Sequence, residues 1–332
     1  MSTDRDDPCR LDFAENTRRL FVDVAQAKAI ASGARPARRA VFRKTHGVAR
    51  AKMILDPERP LSIRFGIFAA DEYDVWIRFS SDVAPTESDS GNGTVGIAMK
   101  LFGVSPPTLA EVDPDAPTAD VLLQNHDVFF VDTGYDMCAF TQLSLEGREE
   151  EWYAQHPETK AILAAMAKRE ESVLTATYWS VLPYACGNGQ AVKYRLSPES
   201  DGPSMAPDAD PNRLRSDLAA RLFEQESNFR LSIQIPRPGS KLPTDRATVP
   251  WPETAAPFTA VAKIEIPAQN IHAEGQEAYG DALAFSSWRV PEANRPLGSI
   301  AESRRKAYPS SAGQRHYVNG QIDGEPHAPR RS

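Results

Sequence analysis

Histidine and cysteine are scarce in this chain, six and three in 332 residues, and that scarcity removes most metal-binding patterns. Cys9, Cys138 and Cys186 stand far apart and are odd in number, so they form no zinc spacing and no evident disulfide framework. They read as core or surface thiols. No apolar run is long enough to span a bilayer. The start, MSTDRDDPCRLDF, lacks the charged-then-apolar order of a signal peptide. A cytoplasmic protein with no membrane span is the expectation. Positive charge is also short, with 38 Lys and Arg against 45 Asp and Glu and a net charge of -7, so nucleic acid is not an expected partner. The chain has 19 glycines against 27 prolines, which favours long, proline-stiffened connections over repeated tight hairpins.

What is present is a soluble-type composition arranged as strands interleaved unevenly with helices. Residues 1–39 read as an N-terminal extension with a helix in AENTRRLFVDVAQAKAIAS. VWIRFSS (75–81) and VGIAMKLFGV (95–104) are β-rich runs, with an exposed loop between them. ETKAILAAMAKREES and NRLRSDLAARLFEQESNF read as helices, the second of them amphipathic. QAVKYRLSP, FRLSIQIP and VAKIEIP read as strands. In the last two, Phe229, Leu231, Ile233 and Ile235, and then Ile264 and Ile266, alternate with polar residues, as one buried sheet face requires. With no βαβ rhythm, the fold class is α+β, a mostly antiparallel sheet or barrel with surrounding helices.

Two short stretches carry possible chemistry. In VWIRFSS, Arg78 and Ser80 share one strand face and Val75, Ile77 and Phe79 the other. A face that presents Trp76, Arg78 and Ser80 needs a polar partner. Near the C-terminus, Ser299 and Glu302 have capping-box spacing, opening a short helix through Tyr308 that Pro309 ends or kinks. Arg304 and Tyr308, four apart, share a helical face. A guanidinium next to a phenol favours the phenolate, a hard oxygen ligand suited to Fe(III).

Taken together these fragments resemble the haem core of catalases, and more closely the short catalase-related haem proteins. RKTH (Arg43 to His46) resembles the family's R-x-x-H, which implies that His46 is the distal histidine and Arg43 a haem-propionate ligand. RFSS resembles RFST, which implies Arg78 on a propionate and Ser80 bonded to the distal histidine. QNHDVFFV is similar to NNTPVFFI, which implies Asn125 as the distal amide. RRKAYP repeats R-x-x-x-Y-P, which implies Tyr308 as the proximal iron ligand, Arg304 as its charge partner and Arg315 as a further propionate arginine. The likeness runs from about residue 40 to 320, so the implied architecture is a catalase-like antiparallel β-barrel over 40–320, with 321–332 a disordered tail.

The resemblance implies haem b as cofactor, a hydroperoxide substrate and a small-molecule electron donor, and a homodimer or a monomer is the expected assembly. The implied activity is a catalase-related peroxidase reducing hydrogen peroxide or organic hydroperoxides, with His46 as the general acid-base and Asn125 orienting the peroxide. Thr45 stands where catalases usually have valine and allene oxide synthases threonine. It motivates a second reading, a fatty acid hydroperoxide dehydratase or peroxygenase. A third reading is a haem-binding protein without catalysis. NGTVGIA lacks the arginine of the family's RDPRGFA, and the aromatic that stacks on haem has only Cys138 and Phe140 near its place.

Overall fold

The computed structural model describes residues 7–187, 189–321 and 324–331. Nine strands are found among them: β1 (Lys44–Leu55), β2 (Glu72–Ser81), β3 (Val95–Phe102), β4 (Thr118–Gln124), β5 (Tyr178–Trp179), β6 (Tyr184–Cys186), β7 (Gln190–Pro198), β8 (Ser227–Gln234) and β9 (Phe258–Ile266). Hydrogen bonding runs β5-β4-β3-β2-β1-β9-β8-β7, and β5 pairs again with β7. That last pairing closes an eight-stranded antiparallel barrel, with β6 attached to β7 as a short hairpin partner.

Closure follows from the alternation. Val75, Ile77 and Phe79 of β2, Ile97, Met99 and Leu101 of β3, and Phe229, Leu231 and Ile233 of β8 point into one core cluster. Each fully buried side chain of this size contributes roughly 1.5–3 kcal/mol. The opposite, outer face of β2, β3 and β4 carries residues of different character. In register, Ser80 stands beside Gly96 and Gly96 beside Gln124, while Arg78 stands beside Ala98 and Ala98 beside Leu122. The C-terminal helix Ser299–Val318 and N-terminal segments stand across a cavity from this outer face.

Several expectations need correction. The C-terminal helix runs straight through Pro309 to Val318, and its N-cap is Gly298, not Ser299. The Ser299 hydroxyl is committed elsewhere, donating to Asp245 at 2.6 Å and accepting from the Gly134 N–H at 2.8 Å. Cys9 and Cys138 form a disulfide across a sequence separation of 129, leaving Cys186 as a buried free thiol. The N-terminal extension is part of the core's packing: the Gln26 amide donates to the Ser311 carbonyl at 3.2 Å. Between Phe13 and Ala31 it is helical, with a wider-turned stretch over Arg19–Gln26.

The tail residues 324–331 are docked, whereas 322, 323 and 332 lie outside the described residues. Glu325 is buried against Lys100 at 2.8 Å and Arg289 at 3.4 Å, and the Tyr279 hydroxyl donates to the Ala328 carbonyl at 2.9 Å. Among the described residues no helix is long and apolar enough to cross a membrane.

Candidate functional site

Between the outer face of β2–β4 and the C-terminal helix lies a cavity of about 430 Å³. Beyond Ile300 the helix lines it with Ser303, Arg304, Ala307, Tyr308, Ser311, Ala312 and Arg315, spaced so that one helical face looks inward. Four of these seven are serine or alanine, so a flat group can approach the helix closely. The facing wall is equally shallow at its centre, where Gly96 and Ala98 of β3 line the cavity between the larger residues of β2 and β4.

One end of the cavity is cationic. Arg39, Arg78 and Arg315 all line it. Arg78 donates to the Phe42 carbonyl and to the Thr45 hydroxyl, both at 2.8 Å. Arg315 donates to the carbonyls of Asp281 and Leu283, and Arg39 to that of Leu283 at 2.6 Å. All these acceptors are neutral, and the Nε atoms of Arg78 and Arg315 are buried without a hydrogen-bond partner. Burial lowers Arg78 to about 9 and Arg315 to about 10. Arg39 is pushed well below the ordinary arginine value, first by burial and then by the charges of Arg78 and Arg315. Three crowded guanidiniums, two of them with an unpartnered buried Nε, call for anions, and a pair of carboxylates suits them. The other end is apolar, lined by Phe129, Phe130, Met137 and Phe140. A planar group with two carboxylates on one edge and hydrocarbon on the other fits this polarity. With the Tyr308 phenol on the helix side as an oxygen donor for Fe(III), the donor set fits haem b.

The residues read from sequence divide into two groups. Arg78, Ser80, Arg304, Tyr308 and Arg315 come together around the cavity. Arg304 also lies over the Phe129 ring, 5.2 Å from its centroid. Arg43, Thr45, His46 and Asn125 are not among the lining residues. Arg43 is exposed. Thr45 sits behind Arg78 and fixes it, so its hydroxyl engages a guanidinium and not an imidazole.

His46 falls at a register irregularity of β1, between Thr45 and Gly47, and is completely buried. Its Nε2 pairs with the Ser81 hydroxyl at 3.1 Å and its Nδ1 is 3.7 Å from Asp89, which Lys44 holds at 2.8 Å. Burial, with Lys44 and Arg78 adding to it, lowers His46 to about 3, so it is a neutral ring. Asn125 is fully occupied: its carbonyl accepts from the Val95 N–H at 3.1 Å and its amide donates to Glu170 at 2.7 Å.

Three neighbouring residues, Arg39, Phe42 and Gln124, line the cavity instead. Arg39 replaces Arg43 at the cationic end. Phe42 lines the wall where an imidazole was expected, held in a turn with φ of 51°. Gln124, one residue before Asn125, lines the cavity, and its Nε2 is buried without a partner. The signal for this arrangement is in the chain: RAVF, four residues ahead of RKTH, has the same arginine-to-fourth-residue spacing. Trp288 and Arg289 lie beyond the lining; the indole donates to the Ala301 carbonyl at 2.7 Å and Arg289 joins the Asp120 and Glu325 carboxylates. His316 is in hydrogen-bond contact with Arg315 at 2.9 Å.

The barrel and its helices superpose on solved structures. A fungal catalase matches with a TM-score of 0.67 and 16% identity, covering 90% of this chain and 65% of that one. The fold is that of catalases. A bacterial catalase matches with a TM-score of 0.66 and 16% identity, covering 88% of this chain and 59% of that one. Catalase A from Saccharomyces cerevisiae matches with a TM-score of 0.67 and 14% identity, covering 90% and 67%. This chain thus spans about two thirds of the length of those catalases, or less. A scan of family models and a search of curated proteins find no match.

Proposed function

We propose that this protein is a haem-dependent hydroperoxide-processing oxidoreductase, working as a peroxidase with an external electron donor. The observation that carries this reading is one cavity that holds three arginines, Arg39, Arg78 and Arg315, together with Tyr308 on the C-terminal helix and a wall of aromatic side chains. Haem b, when bound there, supplies the redox chemistry for O–O cleavage. Tyr308 would hold the iron through its phenol oxygen, and Arg39, Arg78 and Arg315 would hold the propionates. Gln124, with its free amide, would orient a bound hydroperoxide.

Dismutation of hydrogen peroxide is expected to be weak. In this reading, Phe42 gives no acid-base help on the wall facing Tyr308, and His46 is sealed in the barrel wall. The rim favours an organic hydroperoxide: Val41 is 43% exposed and Leu145 46% exposed, and both line the cavity. The same apolar character supports a dehydratase acting on a fatty acid hydroperoxide as a second reading. The test is to load the purified protein with haemin and supply hydrogen peroxide, an alkyl hydroperoxide or a lipid hydroperoxide, each with and without a reducing donor. Donor-dependent consumption of the alkyl hydroperoxide is the expected outcome. A rearranged lipid product formed without donor would favour the dehydratase, and haem uptake with no turnover of any of the three would overturn both.

A further inference from the structure

A hydroperoxide bound opposite Tyr308 must lose a proton from one oxygen and return one to the other, and Phe42, Ser80 and Gln124 offer no group that titrates in the useful range. We propose that the Asp82 carboxylate on the barrel wall moves that proton. This inference rests on the haem reading above.

The placement comes from the strand period. Asp82 is two residues beyond Ser80, just past the end of β2, and its N–H continues the ladder to the Thr94 carbonyl at 3.1 Å. It therefore shares the outer face with Arg78 and Ser80, and it lines the same cavity. The wall that carries Gln124 thus also carries a carboxylate. Asp82 is positioned, since Oδ1 accepts from the Thr94 N–H at 2.9 Å. It is also exposed, which in a lining residue leaves it open to a ligand entering the cavity.

The surroundings tune Asp82 toward proton exchange. Although the residue reaches solvent, the protein packed around its carboxyl desolvates it in part and raises it above the ordinary aspartate value, against the opposing pull of the Thr94 backbone and hydroxyl, its own N–H and the charge of Arg43. Lys168, on the segment bridged to Gly93, gives its ammonium to the Asn125 carbonyl at 3.0 Å. In the step itself, Asp82 accepts the proton from the inner oxygen of the hydroperoxide. The resulting carboxylic acid donates it to the outer oxygen as the O–O bond breaks, so that the leaving group departs as water or an alcohol. The two electrons needed for O–O cleavage would be supplied by haem, when bound, and restored by the external reductant.

Cyanide binding reads this role without turnover, because hydrogen cyanide must give up its proton to a group near the iron before it ligates. Haem-loaded wild type, Asp82→Asn and Asp82→Glu are compared by stopped-flow absorption from pH 4 to 8. The expected result is equal haem content, cyanide association at least tenfold slower in Asp82→Asn with its pH dependence lost, and partial recovery in Asp82→Glu. Equal association rates and equal pH profiles in wild type and Asp82→Asn, with haem retained, would overturn the proposal. Absence of a Soret band from wild type itself would overturn the haem reading and this proposal with it.

Discussion

Phe42 packs its ring directly on Gly96: a β-carbon added at that glycine would come within 2.6 Å of the ring. The contact sets the depth of the cavity, because the ring can lie low only where β3 presents no side chain. Gly96→Ala is expected to push the ring into the space beside Tyr308 and to destabilise the protein by about 1–3 kcal/mol, as overpacking does. The checks are the denaturation midpoint and the affinity for haemin, both of which should fall.

The same position gives a gain-of-function prediction. Phe42→His would place an imidazole on the wall facing Tyr308, in a turn whose φ of 51° histidine tolerates better than phenylalanine. General acid-base assistance is worth roughly 10²–10⁴-fold. Oxygen release from hydrogen peroxide by the haem-loaded variant is expected to rise at least tenfold over wild type, measured with an oxygen electrode.

His46 predicts a pH effect on stability and none on chemistry. Its folded pKa is about 3, against 6.5 for the free group, so the unfolded chain binds the extra proton first as pH falls. Stability therefore holds above pH 6.5 and declines as pH drops toward 3. By linkage, the loss from this group between pH 7 and pH 4 is at most about 3 kcal/mol. Urea unfolding at the two pH values should show His46→Gln losing less stability on acidification than wild type does.

Glu325 anchors the tail to buried charge. It contacts Lys100 and Arg289, and Lys100 in turn holds Asp120 at 2.5 Å; burial pushes the Asp120 carboxyl above its ordinary value, against the charge of Lys100. Removing one partner from such a buried cluster leaves charge uncompensated, at a cost of about 3 kcal/mol or more. Glu325→Ala should lower stability by that order and free residues 324–331, which limited proteolysis would detect as early cleavage near the C-terminus.

The legible and illegible parts of the chain divide on physical grounds. The strands of the barrel declare themselves through period-two alternation, as in Phe229, Leu231 and Ile233. Arg78 and Ser80 could be assigned to one face for the same reason, and helical spacing placed Arg304 with Tyr308. Arg315, by contrast, lies past Pro309, where the helix was expected to end or kink, and was marked by the resemblance alone. The wall facing Tyr308 was misplaced because offset is what sequence specifies least. RAVF and RKTH offer the same spacing four residues apart, and only the turn at Phe42 together with the start of β1 at Lys44 selects the first. On β4 a single-residue step exchanges inner and outer faces, so Gln124 looks into the cavity while Asn125 serves the backbone of Val95. The Cys9–Cys138 bond spans 129 residues, beyond any local pattern.

The central claim is that iron in this cavity is held by the phenol of Tyr308 and balanced by the three arginines. Absorption spectra during haemin titration of wild type and Tyr308→Phe test it most directly. Stoichiometric uptake by wild type with a phenolate-ligated ferric spectrum, and loss of that signature in Tyr308→Phe, is the predicted result. Identical spectra from the two proteins, or no uptake by wild type, would contradict it.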